Sequence, residues 1–178
     1  MIELACPESC PYLRDARSEV GQRETKLRLK DEVFANAARG ITPRLVPVLL
    51  SIESAIVNSQ RGIDGTAMAD LKDSEILEAI ETTIKNIETE KNGIIYEHPA
   101  VSARVEALSR RIKTKLEKLA AETPAELRPR HADILKTLSV EHAAIGFHIK
   151  RNETDTSYLR YIALFVPWPE QETRPLII

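Results

Sequence analysis

The residues with the clearest chemical potential are two cysteines near the N-terminus, Cys6 and Cys10, set among prolines in the segment CPESCP. This spacing brings two thiols together in one helical turn or one tight turn. A helix that begins near Cys10 would stabilise a thiolate through its unpaired N–H groups. Such a pair can supply part of a zinc or iron site, act as a redox pair, or pack as two small apolar side chains. The sequence leaves these three interpretations open.

A metal site built on the cysteines needs about four ligands, because zinc prefers tetrahedral coordination. The C-x3-C spacing differs from the C-x2-C of zinc ribbons and of thioredoxin-like redox pairs. The other ligands would come from a second copy of the chain or from histidines elsewhere, with His142 and His148 as the candidates. We therefore predict that no cofactor is required, and zinc is the one that the sequence allows.

A corner between two predicted helices carries groups that suit general acid–base chemistry. Tyr96, Glu97 and His98 follow one another there and precede Pro99. The competing interpretation is helix termination, in which the histidine lies near the last carbonyls of one helix and the proline opens the next.

The predicted fifth helix, from about 130 to 150, carries a second acid–base candidate, the pair Glu141 and His148 on one flank. The two residues lie about 10 Å apart along the helix axis, too far to share one ion. His131 and His142 fall on its apolar side, where the ordinary interpretation is a hydrogen-bonded histidine at the edge of the core.

Four basic residues fall in one stripe beside the apolar face of the predicted fourth helix. Such a stripe can follow phosphates, pair with acidic neighbours or stay solvated. No aromatic residues interleave with it for base stacking, so a nucleic-acid partner is not expected. The stripe is a candidate surface for a protein partner and consists of Arg104, Arg111, Lys115 and Lys118.

The aromatic residues are concentrated near the C-terminus, and the rest of the apolar sequence is aliphatic. An aromatic patch of this kind either plugs one end of a bundle or forms a contact surface for a partner. The candidates for such a contact are Tyr158, Tyr161, Phe165 and Trp168.

Prolines and glycines divide the chain into segments with helical periodicity, because proline is tolerated mainly in a first helical turn. Isoleucines of the third predicted helix, residues 73–96, recur on one face. The fourth helix is predicted to start at Pro99 with an apolar stripe from Val101, and Thr123-Pro124-Ala125-Glu126 is a capping box at the start of a helix or of one short turn.

Nothing in the sequence indicates a strand pair. We predict an all-α, single-domain bundle of five to six helices, mostly antiparallel, with an extended Pro-rich C-terminal tail. Residues 1–40 are expected to form the cysteine-containing turn and a charged helix that packs on the body. Residues 41–178 are expected to form the bundle core with its aromatic segment and tail, and the two segments are expected to form one domain.

The charge balance excludes a polyanionic disordered tail and a generally basic nucleic-acid binder, since 25 basic and 27 acidic residues leave a net charge of −2. No signal peptide or membrane-spanning stretch is visible, so a cytoplasmic location and no membrane partner are predicted. Nucleophile, P-loop and zincin motifs are missing, which disfavours an enzyme.

The function predicted from the sequence is that of a non-enzymatic helical interaction, scaffold or regulatory protein, with self-association into a homo-oligomer or a protein partner. The first alternative is a small zinc- or iron-binding protein that uses Cys6 and Cys10. The second is a helical enzyme with an acid–base site near Glu97 and His98 or near Glu141 and His148.

Overall fold

The computed structural model describes residues 40–63, 65–93, 98–151 and 154–166. Over these ranges the regular structure is entirely helical, so the predicted all-α fold is confirmed. The predicted cysteine turn, the charged helix that follows it and the Pro-rich tail lie outside the described residues. A short 3-10 helix, Pro43–Leu45, leads into the first of the helices, which are α1 (Val46–Arg61), α2 (Asp73–Lys91), α3 (Ala103–Glu122), α4 (His131–Arg151) and α5 (Ser157–Ala163).

The four long helices form a bundle in which α1 and α2 each pack against both α3 and α4. The pair α1–α3 is antiparallel, since the Ser51 hydroxyl near the start of α1 donates to the Lys115 carbonyl in the second half of α3. The pair α2–α4 is antiparallel as well, because Ile87 near the end of α2 lines the same pocket as Ile134 near the start of α4.

Helices α2 and α3 run parallel, although they follow one another in the chain. Glu75 pairs with Arg104 near both N-termini, and Glu90 pairs with Lys113 farther along both helices. Two successive parallel helices require the connection between them to run back along the first. His98 marks this return, since its backbone N–H donates to Asn86 Oδ1 at 2.7 Å.

The core is built mainly from aliphatic side chains, as the composition indicates. The predicted isoleucine face of α2 is buried at Ile76, Ile80 and Ile87, and it meets the buried faces of the other helices. Burying each of these side chains contributes about 1.5–3 kcal/mol of transfer free energy. The core residues contributed by α3 and α4 include Leu108, Ile112, Leu116, Leu138 and Ile145.

Helix α3 corresponds to the predicted fourth helix, and its predicted start is wrong by one turn. The helix begins at Ala103 and not at Pro99, because Ser102 Oγ accepts a hydrogen bond from the Val105 N–H at 3.2 Å and so caps the first turn. Val101, predicted to join the apolar stripe, precedes the cap and is 81% exposed.

Replacing Ser102 with alanine should lower the free energy of unfolding by about 1 kcal/mol, because an N–H of α3 loses its acceptor. Denaturant unfolding measures the change. Ser139→Ala is the matched control, since this exposed hydroxyl donates only to Leu135 O within α4, and it should change stability by less than about 0.5 kcal/mol. Equal effects of the two substitutions would contradict the capping role.

Two other helix ends follow local signals in different ways. Thr123, the first residue of the predicted capping box, instead ends α3, and its hydroxyl donates to Leu119 O at 2.6 Å. Only one turn follows it, with the Leu127 N–H donating to Pro124 O, so the short-turn alternative describes the segment. Helix α1 ends at Gly62 with φ +75°, where a Cβ would lie 2.8 Å from the Ala67 Cβ.

The N-termini of α2 and α5 cap each other. Asp155 lies just before α5, and its carboxylate accepts hydrogen bonds from the Ser74 N–H and hydroxyl at the start of α2. In return, the Asp73 carboxylate accepts the Tyr158 N–H at 2.8 Å and the Leu159 N–H at 3.0 Å at the start of α5. Each helix therefore receives from the other the side-chain acceptor that its own N-cap residue does not supply.

Within the described ranges, no helix combines the length and the apolar character that a membrane crossing requires.

Candidate functional site

The predicted acid–base corner is described at His98 only, because Tyr96 and Glu97 lie outside the described residues. His98 Nε2 lies 2.9 Å from Thr89 Oγ1 on α2. The Thr89 hydroxyl already donates its single proton to Lys85 O at 2.7 Å. His98 Nε2 must therefore carry a proton and act as the donor. This contact anchors the returning connection to α2, which is a positioning role.

The structure places the two candidate metal-ligand histidines in different surroundings. His142 Nε2 lies 2.9 Å from Glu81 Oε1 across the α2–α4 interface. His148 instead contacts the rings of Tyr158 and Tyr161, with centroid distances of 5.6 and 5.3 Å.

No group of three or more histidine, cysteine, aspartate and glutamate side chains suited to a metal ion occurs among the residues that the structure describes. Cys6 and Cys10 lie outside those residues, so zinc binding by the cysteine pair stays a prediction. His131, predicted to lie on the apolar side of its helix, is exposed at the start of α4.

Glu141 is a buried carboxylate, only 2% exposed, and its Oε2 accepts a hydrogen bond from the Tyr158 hydroxyl. A charged group in the interior is costly unless it is hydrogen-bonded, so this contact stabilises both side chains.

Tyr158 is itself 2% exposed. At Tyr158 the aromatic segment is therefore an interior plug and not a contact surface, which corrects its place among the candidate interaction residues. Tyr161 and Phe165 are half-buried and in ring contact, and Trp168 lies outside the described residues.

Part of the predicted basic stripe binds other groups of the same chain. Arg104 contacts Asp70 at 2.8 Å and Glu75 at 2.9 Å. The hydrogen bond from Arg104 lowers the pKa of the Asp70 carboxyl, and the hydrogen bond to Asp70 raises the pKa of Arg104. Arg111 donates to Thr66 O at 3.1 Å. These two residues fasten the α1–α2 connection to α3, so this half of the stripe pairs with the protein's own groups.

The other half of the stripe lies farther along α3. Lys118 is exposed and lies 3.8 Å from Glu122 one turn on, a spacing typical of a weak surface ion pair. Lys115 is half-buried and lines a shallow surface depression beside Lys118. A protein partner at these two residues remains a prediction.

Two apolar pockets lie on either side of Pro129, at the end of the bundle where α3 ends and α4 begins. One, of about 400 Å³, opens between α2, α3 and α4 and has Ile87, Leu116 and Ile134 among its lining residues. The other, of about 260 Å³, opens between α1 and α3 and is lined in part by Val48 and Leu127. We call the two pockets and the loop 127–130 between them the Pro129 surface.

Sequence reasoning missed the Pro129 surface. Leu127 is 62% exposed, and it stands in a polar loop between two proline positions. A leucine that neither helical periodicity nor turn chemistry requires is the one signal that could have pointed to it.

The fold and these surfaces define the class of protein: a single-domain, all-α bundle with an apolar, basic-rimmed end. Comparisons with protein-family models, with curated proteins and with solved structures found no match. The support for a function of this chain therefore comes from its described surfaces alone.

Proposed function

We propose that this chain is a non-enzymatic helical interaction module, and that its Pro129 surface binds an apolar segment of a protein partner. The observation that carries the proposal is the pair of apolar pockets on either side of Pro129 with the exposed Leu127 beside them. A single exposed leucine is ordinary on a protein surface. A leucine that lines one of two neighbouring open apolar pockets with a charged rim has the composition of a recognition site.

The dimensions of the pockets suit the side chains of a peptide. Pockets of about 400 and 260 Å³ each hold one or two apolar side chains of a segment that crosses the loop. Amphipathic helices present apolar side chains at regular intervals along one face, and they bind in grooves between the helices of other proteins.

The charge of the rim indicates the charge of the partner. Arginine and lysine side chains outnumber carboxylates among the residues that line the two pockets. An acidic partner is favoured because opposite charges speed association and exclude wrong partners. A second copy bound through the same surface would bring the two basic rims together. The cations are Arg44, Lys113, Arg128 and Arg130, and the carboxylates are Glu90 and Glu117.

The test uses two synthetic peptides that form amphipathic helices with the same leucine face, one with glutamate and one with lysine on the polar face. Fluorescence anisotropy should show that the glutamate peptide binds and that added salt weakens the binding, because the rim attraction is screened. Leu127→Glu should weaken it about tenfold or more, since a charge replaces an apolar contact in one of the two pockets.

Val101→Glu is the matched control, because Val101 is also an exposed apolar residue, in the loop at the far end of α3. It should leave the affinity unchanged. Three results would overturn the proposal: equal binding of both peptides, equal losses in the two variants, or binding to anionic lipid vesicles with none to either peptide.

A further inference from the structure

A separate polar pocket of about 240 Å³ opens between the parallel helices α2 and α3, beside His98. It is smaller than the two apolar pockets, and hydroxyl, amide and charged groups converge on it from both helices. The residues that define its chemistry are Thr82, Thr83, Asn86, Ser109, Arg110 and Lys113.

The hydroxyl protons at the floor of this pocket are already committed. The Thr82 hydroxyl donates to Glu78 O at 2.9 Å and the Thr83 hydroxyl to Ala79 O at 2.7 Å. Thr83 Oγ1 also lies 2.8 Å from Ser109 Oγ. Because a hydroxyl has one proton, Thr83 must accept in this second contact, and Ser109 must donate. The floor therefore offers oxygen lone pairs from Thr82 and Ser109 to a ligand that can donate a proton.

The rim has the opposite chemistry. A guanidinium has five N–H groups, and Glu106 accepts from Arg110 Nη2 at 2.6 Å. Lys113 brings a second positive charge, although it also pairs with Glu90. The orientation of the Asn86 side chain is set by His98. The Asn86 oxygen accepts the His98 N–H, so the Asn86 NH2 group is turned away from that contact. The rim thus supplies N–H donors, while the charges of Arg110 and Lys113 are balanced by Glu106, which also lines the pocket, and by Glu90.

We propose that this pocket binds a small hydroxycarboxylate, with its carboxylate at Arg110 and its hydroxyl proton donated to the floor at Ser109. A ligand with acceptors only would bring no donor to the floor oxygens, and an alcohol would bring no carboxylate to the remaining N–H groups of Arg110. Unpaired polar groups in a part-buried site cost affinity, so both ends of the ligand contribute to selectivity. The volume limits the ligand to a few non-hydrogen atoms. The inference uses Arg110 and Ser109, which lie outside the Pro129 surface, whereas Lys113 lines both.

The probes are L-lactate and propionate, which differ by the hydroxyl group, titrated at constant ionic strength into protein labelled with nitrogen-15. Lactate should produce saturable shifts of the backbone signals of Ser109 and Arg110, with an affinity about tenfold higher than that of propionate. Arg110→Gln should weaken lactate binding about tenfold or more, because the carboxylate loses its charged donor. Arg160→Gln is the matched control on α5, where Arg160 is exposed, and it should bind as the wild type does.

Ser109→Ala should remove most of the preference for lactate over propionate, since the acceptor for the hydroxyl is lost. If Ser109→Ala fails to fold, the Arg110→Gln variant still decides, because Arg110 lies in an exposed ion pair. Equal affinity for the two acids, no saturable shift at about 10 mM lactate, or an equal loss in Arg160→Gln would overturn the inference. Neither Arg110 nor Ser109 lines the Pro129 surface. The glutamate-peptide assay on Arg110→Gln therefore separates a failure here from a failure of the proposed function.

Discussion

Replacing Asp73 with alanine should lower the free energy of unfolding by about 3 kcal/mol, as measured by denaturant unfolding. The Asp73 carboxylate is 0% exposed and accepts the backbone N–H groups of Tyr158 and Leu159. Alanine would leave two buried donors without an acceptor, at about 1–3 kcal/mol each. The start of α5 would then detach from α2 or remain with an unpaired helix end.

The matched control is Asp155→Ala, the exposed half of the same exchange of caps. Asp155 accepts from the N–H and hydroxyl of Ser74 in an exposed position, so water can replace it. We expect a loss of about 1 kcal/mol, the ordinary value of an N-cap. A loss for Asp73→Ala no larger than that for Asp155→Ala would contradict the buried role of Asp73.

The same carboxyl predicts a pH dependence. Burial raises the pKa of Asp73, opposed in part by the hydrogen bonds from Leu159 and Ser157. A pKa raised in the folded state means that the folded protein binds the proton more tightly. The resulting stability is present below the unfolded pKa of about 3.9 and is lost as the pH rises through the higher folded value.

Asp73→Asn keeps one acceptor oxygen and does not titrate, so it isolates this effect. The stability of the wild type relative to Asp73→Asn should fall as the pH rises from about 3 through the folded pKa of Asp73. Thermal unfolding of both proteins across this range measures the difference. A constant difference, or one that grows with pH, would show that the pKa of Asp73 is not raised.

Replacing Tyr158 with phenylalanine should cost about 2 kcal/mol of stability, the second-largest effect expected. The substitution keeps the buried ring and removes only the hydroxyl that donates to Glu141. Hydrogen bonds to charged groups contribute about 1.5–3 kcal/mol, and the carboxylate would remain in the interior with one donor fewer.

A double-mutant cycle with Glu141→Gln tests the cause of this loss. Glutamine keeps an oxygen acceptor and removes the charge, so Tyr158→Phe should cost only about 1 kcal/mol in that background, the value of a neutral hydrogen bond. Identical costs in both backgrounds would mean that the tyrosine hydroxyl stabilises something other than the Glu141 charge.

The helices of this fold could largely be predicted from the sequence, because the pattern that forms a helix lies within a few residues. The spacing of Ile76, Ile80 and Ile87 predicts a buried face that the structure confirms. The start of α3 was misplaced because two local signals compete there. Pro99 is compatible with a first turn, but Ser102 also supplies a hydrogen-bond acceptor, and the cap decides the boundary.

The candidate sites were predicted less well, because each combines helices that are distant in the chain. His98 was singled out from its corner, whereas Ser109 and Thr83 were not, since their contact depends on the parallel packing of α2 and α3. A signal was present: both are polar residues within buried helix faces, with exposures of 5% and 1%. Such residues need a partner, but the sequence does not identify it.

By itself the sequence determined the all-α class, the aliphatic core and most helix boundaries, since hydrophobic periodicity and the backbone limits of proline act over one or two turns. Only the tertiary structure decided which helices meet. Asp73 bonds to Tyr158, 85 residues away, and the Pro129 surface exists because the ends of α1, α2, α3 and α4 meet there. Two helices can cap each other or enclose a pocket only if they are neighbours and run in suitable directions. Many arrangements of the helices would bury the same apolar faces, so the apolar pattern does not decide between them.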